Sequence, residues 1–336
     1  MAVFRGFATA AVVLLALLIA ADALVRAYFP HLDRLTGNFS TAYLDREVRA
    51  LAPDRQAVVF LGDSALWGYH VPPEAASVSL LRQAGCRCRN LSFEGGSPAN
   101  TYAVLRALFA AGAAPKAVVF NVNQKEFNPA DSAYRTLHPS VDALARPLLA
   151  PDENALLASP DAPDFNGRID RGIAAHWALY ALRSDLREVV FGDVDAVHRL
   201  DRALKSASGA TARQDAAHRP TADRFEGTYD LTPLPTEPDN VSLVFLRKIA
   251  DLLAARRVRA FAVLTPTNHA LLHDYIDVPV YEENLRYVKA LLKRRGVTVL
   301  DYDRAFGAEQ FLDNDHLTVR GNGTFAGLIS AALGAR

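Results

Sequence analysis

Five short apolar runs punctuate this chain, and the segments between them follow a different period. "AVVFLGD" (57–63), "CRNLSFEGG" (88–96), "KAVVFNVN" (116–123), "VRAFAVLTPTN" (258–268) and "VTVLDYD" (297–303) are short, rich in β-branched and aromatic residues, and closed by Gly, Asp or Asn, which marks them as buried strands. "PEAASVSLLRQAG" (73–85), "NTYAVLRALFAAGA" (100–113), "YEENLRYVKALLKRRG" (281–296) and "RGNGTFAGLISAAL" (320–333) instead repeat their apolar residues every three or four positions, as helices do. Strand and helix in alternation demand right-handed crossovers, and therefore an α/β fold: a three-layer α/β/α sandwich around a mostly parallel sheet.

With 336 residues, half of them apolar, the chain can bury a large core. Its 37 basic residues balance 37 acidic ones, so no overall field recommends nucleic acid as a partner. Function has to be sought in local features.

The first is the amino-terminal stretch "MAVFRGFATAAVVLLALLIAADALVRAYF", in which Arg5 precedes an uncharged run from Gly6 to Ala21. Its length suits either a short membrane span or the core of a secretory signal, and both deliver the chain to a membrane. Because apolar residues resume at Ala23, Leu24 and Val25, residues 1–30 read better as an uncleaved signal anchor, a transmembrane helix, than as a cleaved signal peptide. The body, 50–336, is then extracytoplasmic, periplasmic or at the cell surface. Cys86 and Cys88 are the two cysteines. Their spacing along a strand sets the Cα atoms near the upper limit for bridging, so buried free thiols are expected, and two ligands are too few for a zinc site.

In open parallel sheets the chemistry collects at the carboxyl ends of the strands. Here those ends supply Asp63 and Ser64, Gly95 and Gly96, Asn121 and Asn123, the stretch Thr265–His269, and "DNDH" (313–316) beyond the last strand. A hydroxyl, a glycine pair, side-chain amides and an Asp/His pair on one rim are the parts of an acyl-transfer site.

These residues also carry a family pattern. The chain resembles the SGNH hydrolases, the superfamily of GDSL-type esterases and related carbohydrate O-acyl hydrolases and transferases. Gly62-Asp63-Ser64 matches the first block, Asn90 and Gly95 the second, Asn123 the third, and Asp313 with His316 the last. The third block departs from the usual Gly-x-Asn-Asp, with Asn121 and Gln124 in the outer places. The likeness covers 57–128 and 258–335.

The resemblance implies an SGNH/flavodoxin-like fold and a set of roles. Ser64 is the nucleophile. His316, with an ordinary pKa near working pH, is the base, and Asp313 orients it, Asp315 being the rival carboxylate. The Ser64 and Gly95 backbone N–H groups and the Asn123 amide form the oxyanion hole. Trp67, Asn268 and His269 are weaker candidates for touching substrate, and no cofactor or metal is implied.

Residues 128–245 are an insertion atypical of the family, Pro- and Asp-rich at first and polar with small residues later. An anchor and an outward-facing acyl site resemble the envelope members of the family, which implies an esterase or O-acyltransferase. Its substrate would be an acylated, most simply acetylated, cell-envelope or secreted polysaccharide, and its partner a membrane-bound O-acyltransferase. The altered third block leaves an alternative open, a non-catalytic glycan-binding or scaffold protein of the same machinery.

Overall fold

The computed structural model describes residues 13–24, 41–157, 177 and 225–334. The chain divides into two units, 1–46 with 160–215 and 47–159 with 216–336, and every strand and site residue below belongs to the second.

Five parallel strands form its sheet: β1 (Val58–Leu61), β2 (Cys88–Asn90), β3 (Ala117–Val122), β4 (Arg259–Leu264) and β5 (Thr298–Asp301), in the order β2-β1-β3-β4-β5. All four pairings are parallel, with Phe60 beside both Asn90 and Val119, and Val119 beside Phe261. Each strand falls within one of the five apolar runs. Every residue of β3 is buried, as expected of a central strand covered on both faces.

Alternate residues face opposite ways. Phe60, Ala117, Val119, Phe261 and Val263 share one core with Val78 and Leu81 of one helix and Phe325, Ala326 and Ile329 of another. Those helices are α2 (Ser77–Gln83) and α7 (Val319–Gly334); α1 (Ser64–Trp67) and α3 (Pro98–Ala110) come earlier in the chain than α7, flanking α2. The Asn322 side chain accepts the Ser77 N–H at 3.1 Å, fastening α7 to the start of α2. Elsewhere α3 packs on α4 (Val241–Ala255), which also meets β4. The helix α4 lies across the predicted end of the insertion, and α5 (His269–Ile276) starts directly after the fourth apolar run; α6 (Pro279–Arg294) matches its predicted run.

One expectation requires correction. Cys86 and Cys88 are joined in a disulfide, their Cα atoms 5.1 Å apart, because Cys86 precedes the strand rather than lying in it. At the amino terminus, 13–24 is helical and exposes Val13, Leu14, Leu15, Leu17, Ile19 and Leu24. No helix among the described residues is long and apolar enough to cross a membrane; the rest of 1–30 lies outside them. Most of the insertion, 158–176 and 178–224, lies outside them as well.

Candidate active site

The order β2-β1-β3 means that the chain leaves β1 toward one edge and returns on its other side as β3. The crevice of such a sheet opens at that reversal, beyond the carboxyl ends of β1 and β3. Ser64 stands at the first of these ends and Asn123 at the second.

Gly62 and the side chains of Asn121 and Asp63 bend the chain there. Gly62 has φ 144°, and a Cβ on it would lie 1.6 Å from Asn121 Oδ1, so no side chain fits. Asn121 occupies that space. Its Oδ1 accepts the Asp63 N–H at 3.0 Å and its Nδ2 donates to Thr265 Oγ1 at 3.0 Å, which ties the ends of β1, β3 and β4 together. Asp63 then caps α1, accepting the Ala65 N–H at 2.9 Å, and Gly68 closes this single turn by donating to the Ser64 carbonyl. The strand thus ends with the Ser64 hydroxyl at the first position of a helix turn.

His316 arrives from a loop held at both sides. Its carbonyl accepts the Leu312 N–H at 2.7 Å, and Phe311 bridges to Leu317. His316 Nε2 lies 2.7 Å from Ser64 Oγ, and Nδ1 lies 2.8 and 2.9 Å from the two oxygens of Asp313. Asp313 Oδ1 also accepts the N–H groups of Asp315 and His316, at 3.2 and 2.9 Å. Burial alone would raise the Asp313 carboxyl, but the His316 hydrogen bond and charge and these two N–H groups outweigh it and hold Asp313 below its ordinary value. Burial would likewise lower His316; the Asp313 hydrogen bond and the charges of Asp315 and Asp313 reverse this and raise it.

Asp315, fully shielded from solvent, stands 3.5 Å from His316 Nδ1 and is turned elsewhere. It is ion-paired with Lys125 and accepts from Asn123 Nδ2. Asn123 Nδ2 also donates to Asp63 Oδ2 at 3.2 Å. The two amide hydrogens expected at a substrate oxyanion are therefore spent on carboxylates behind the site. Burial would lower the Lys125 ammonium, yet the charges of Asp315 and Asp63 raise it well above its ordinary value. Burial, with Asp315, raises Asp63 against the opposing pull of Lys125. Nearby, Glu126 accepts the Asn123 N–H at 3.2 Å, and its carboxyl is raised well above the usual range, first by burial and then by Asp63. With its amide oriented by its neighbours, Asn314 donates to both Asp313 and Asp315, at 3.3 and 3.2 Å.

The remaining predicted residues divide. Gly95 is exposed at φ 70°, while Gly96 packs so closely that a Cβ on it would lie 2.0 Å from the Gly62 carbonyl oxygen. Asn90 donates to the Leu66 carbonyl at 3.2 Å and so fastens β2 to α1. Asn268 holds the acid loop, its Nδ2 donating to the Asp313 carbonyl at 2.9 Å and its N–H to that of Asn314 at 2.8 Å. His269 Nε2 lies 2.8 Å from Asp303, which also accepts from Tyr281, so this histidine belongs to a separate cluster. Trp67 is half-buried at the end of α1; the rings that reach His316 are Tyr69 and His70, with centroids 5.3 and 5.4 Å away. Gln124, in the outer place of the altered block, is buried, and neither amide atom has a partner among the described residues.

Lys125, three residues past the end of β3, was missed by the motif pattern, because nothing local distinguishes it from an ordinary solvated lysine. Among groups able to hold a metal, His70, Asp313 and His316 present ligand atoms within 4.8 Å of one another.

Comparison with known proteins adds little resolution. A family model that carries no description matches residues 239–335. No curated protein matches the chain. Among solved structures, one similar chain is from Desulfitobacterium hafniense DCB-2, provisionally described as a lipolytic protein of the G-D-S-L family; identity is 11%, the match covers 82% of this chain and 98% of that one, and the TM-score is 0.39.

Proposed function

We propose that the protein is a serine-dependent acyl-ester hydrolase or O-acyltransferase. The observation that supports this most directly is the continuous hydrogen-bonded path from Ser64 Oγ through His316 to Asp313. Ser64 Oγ attacks the ester carbonyl as His316 Nε2 takes its proton; the same nitrogen returns that proton to the departing alkoxide. Asp313 fixes the tautomer and stabilises the imidazolium. The oxyanion falls to the backbone N–H of Ser64, since the first turn of a helix leaves its N–H groups without helical partners, and, as the family resemblance implies, to that of Gly95 in the turn after β2. In the second half, water or a sugar hydroxyl attacks the acyl-enzyme, which makes the protein a hydrolase or a transferase.

The proposed substrate is an O-acylated, in the simplest case O-acetylated, envelope or secreted polysaccharide. The apolar amino-terminal run and the disulfide favour an extracytoplasmic, membrane-anchored setting, where a membrane-bound O-acyltransferase is the natural supplier of acyl groups. The test uses full-length protein in detergent. Hydrolysis of p-nitrophenyl acetate, labelling of Ser64 by a fluorophosphonate read by mass, and loss of both in Ser64→Ala are expected. Equal turnover by parent and variant, with no adduct, would overturn the reading. Free acetate against acetyl-oligosaccharide as product separates hydrolase from transferase.

A further inference from the structure

We infer that His70, Asp313 and His316 form a binding site for a late first-row divalent metal ion, with Zn²⁺ as the type ligand, and that its occupancy takes from His316 either its Ser64 contact or its Asp313 contact. Binding itself requires only the geometry. Its consequence for turnover rests on the function proposed above.

Two imidazoles and a carboxylate are a donor set that zinc and its neighbours take readily, leaving further positions open. With Zn–N of about 2.0–2.1 Å, two imidazole rings on one tetrahedral ion have centroids on the order of 5 Å apart. The His70 and His316 rings stand 5.4 Å apart at an interplanar angle of 87°. Ligand atoms on such an ion are about 3.3 Å from each other. The three present here lie within 4.8 Å, so side-chain rotations of about an ångström close the set.

Tyr69 already gives His316 an aromatic neighbour at 5.3 Å, so what His70 adds is a nitrogen. His70 is also exposed and has φ 66°, a conformation uncommon for any residue but glycine. An ion can reach it without opening the core.

Each His316 nitrogen is already engaged, Nε2 with Ser64 and Nδ1 with Asp313. A metal needs a lone pair on the imidazole, so binding displaces one of those contacts and any proton on that nitrogen. Loss of the first removes the base from the hydroxyl, and loss of the second removes the orienting carboxylate. Either way the bound state is silent.

The experiment titrates Zn²⁺ into metal-stripped full-length protein by calorimetry, with Co²⁺ absorption as a second readout, on the parent, Ser64→Ala and His70→Asn. Asn tolerates positive φ, so the last variant keeps the turn. Parent and Ser64→Ala are expected to bind one ion, Ser64→Ala at least as tightly as the parent, and His70→Asn at least tenfold more weakly than the parent, with His70→Asp recovering part of the loss. In the ester assay, Zn²⁺ suppresses the parent reversibly with EDTA, and the ratio of rates with and without metal moves toward one in His70→Asn. Equal affinity of parent and His70→Asn, or no binding at millimolar Zn²⁺, would overturn the inference. If the metal binds as described but no ester is cleaved, the proposed function fails and the metal site stands.

Discussion

Lys125 is ion-paired with Asp315, a carboxylate fully shielded from solvent and 3.5 Å from His316 Nδ1. Removing one partner from such a pair leaves a buried charge uncompensated, at a cost of about 3–5 kcal/mol. Lys125→Met should therefore lower the free energy of unfolding by about that much in urea titration. Lys125→Met/Asp315→Asn, which removes both charges, should recover more than half of it. A double variant as unstable as the single one would show that the pair is not the cause.

The same ion pair determines which acid serves His316. Asp313 holds Nδ1 at 2.8 Å with two backbone N–H groups bracing it, whereas Asp315 spends itself on Lys125 and Asn123. Asp313→Asn should lower kcat by about 10⁴. Asp315→Asn should lower it by about tenfold or less while costing stability. Steady-state rates and unfolding curves on both variants check this, and a reversal of their order would transfer the orienting role to Asp315.

Asn123 offers a contrasting case. An oxyanion donor is worth about 10²–10³ in rate, whereas a buried hydrogen-bonding group with another job is worth about 1–3 kcal/mol of stability. Because its amide donates to Asp63 and Asp315, Asn123→Ala should lose stability in that range and less than about tenfold in kcat. A hundredfold rate loss with unchanged stability would restore the oxyanion role.

Glu126 gives a pH dependence. Its carboxyl is raised by burial and by Asp63, so the folded chain binds this proton more tightly than the unfolded chain does. The stabilisation from it is greatest below the ordinary carboxyl value and is lost as pH climbs toward the folded-state value. Glu126→Gln keeps an acceptor for the Asn123 N–H and cannot ionise. Melting temperatures of parent and variant should meet near pH ~4 and separate in the variant's favour toward pH ~8. A gap independent of pH would show that Glu126 does not titrate in this way.

The sheet was legible because each strand is a continuous apolar run closed by a turn residue, and a buried parallel strand has few other ways to be written. Ser64, Asp313 and His316 could be named because their residue types and chain order are themselves chemical. Their surroundings could not. Whether Asn121 replaces a glycine harmlessly depends on Gly62 leaving room for it and on Thr265 receiving its amide, a relation among three strands that local sequence does not express. Asn268 was singled out because it ends a strand on the right rim; its bond to the Asp313 carbonyl, which braces the loop, could not be read from that position. The disulfide was misjudged because both cysteines were given strand spacing, whereas the strand starts at Cys88 and Cys86 lies in the irregular backbone before it, which brings their Cα atoms to 5.1 Å.

The separation of 252 positions between Ser64 and His316 also sets an order of events during synthesis. A growing polypeptide displays the hydroxyl long before the imidazole has been translated, and an unassisted serine is nearly inert. On the proposed mechanism, reactivity switches on only when β4, β5 and the loop behind them have docked, so a stalled or half-made chain would be harmless to the esters around it.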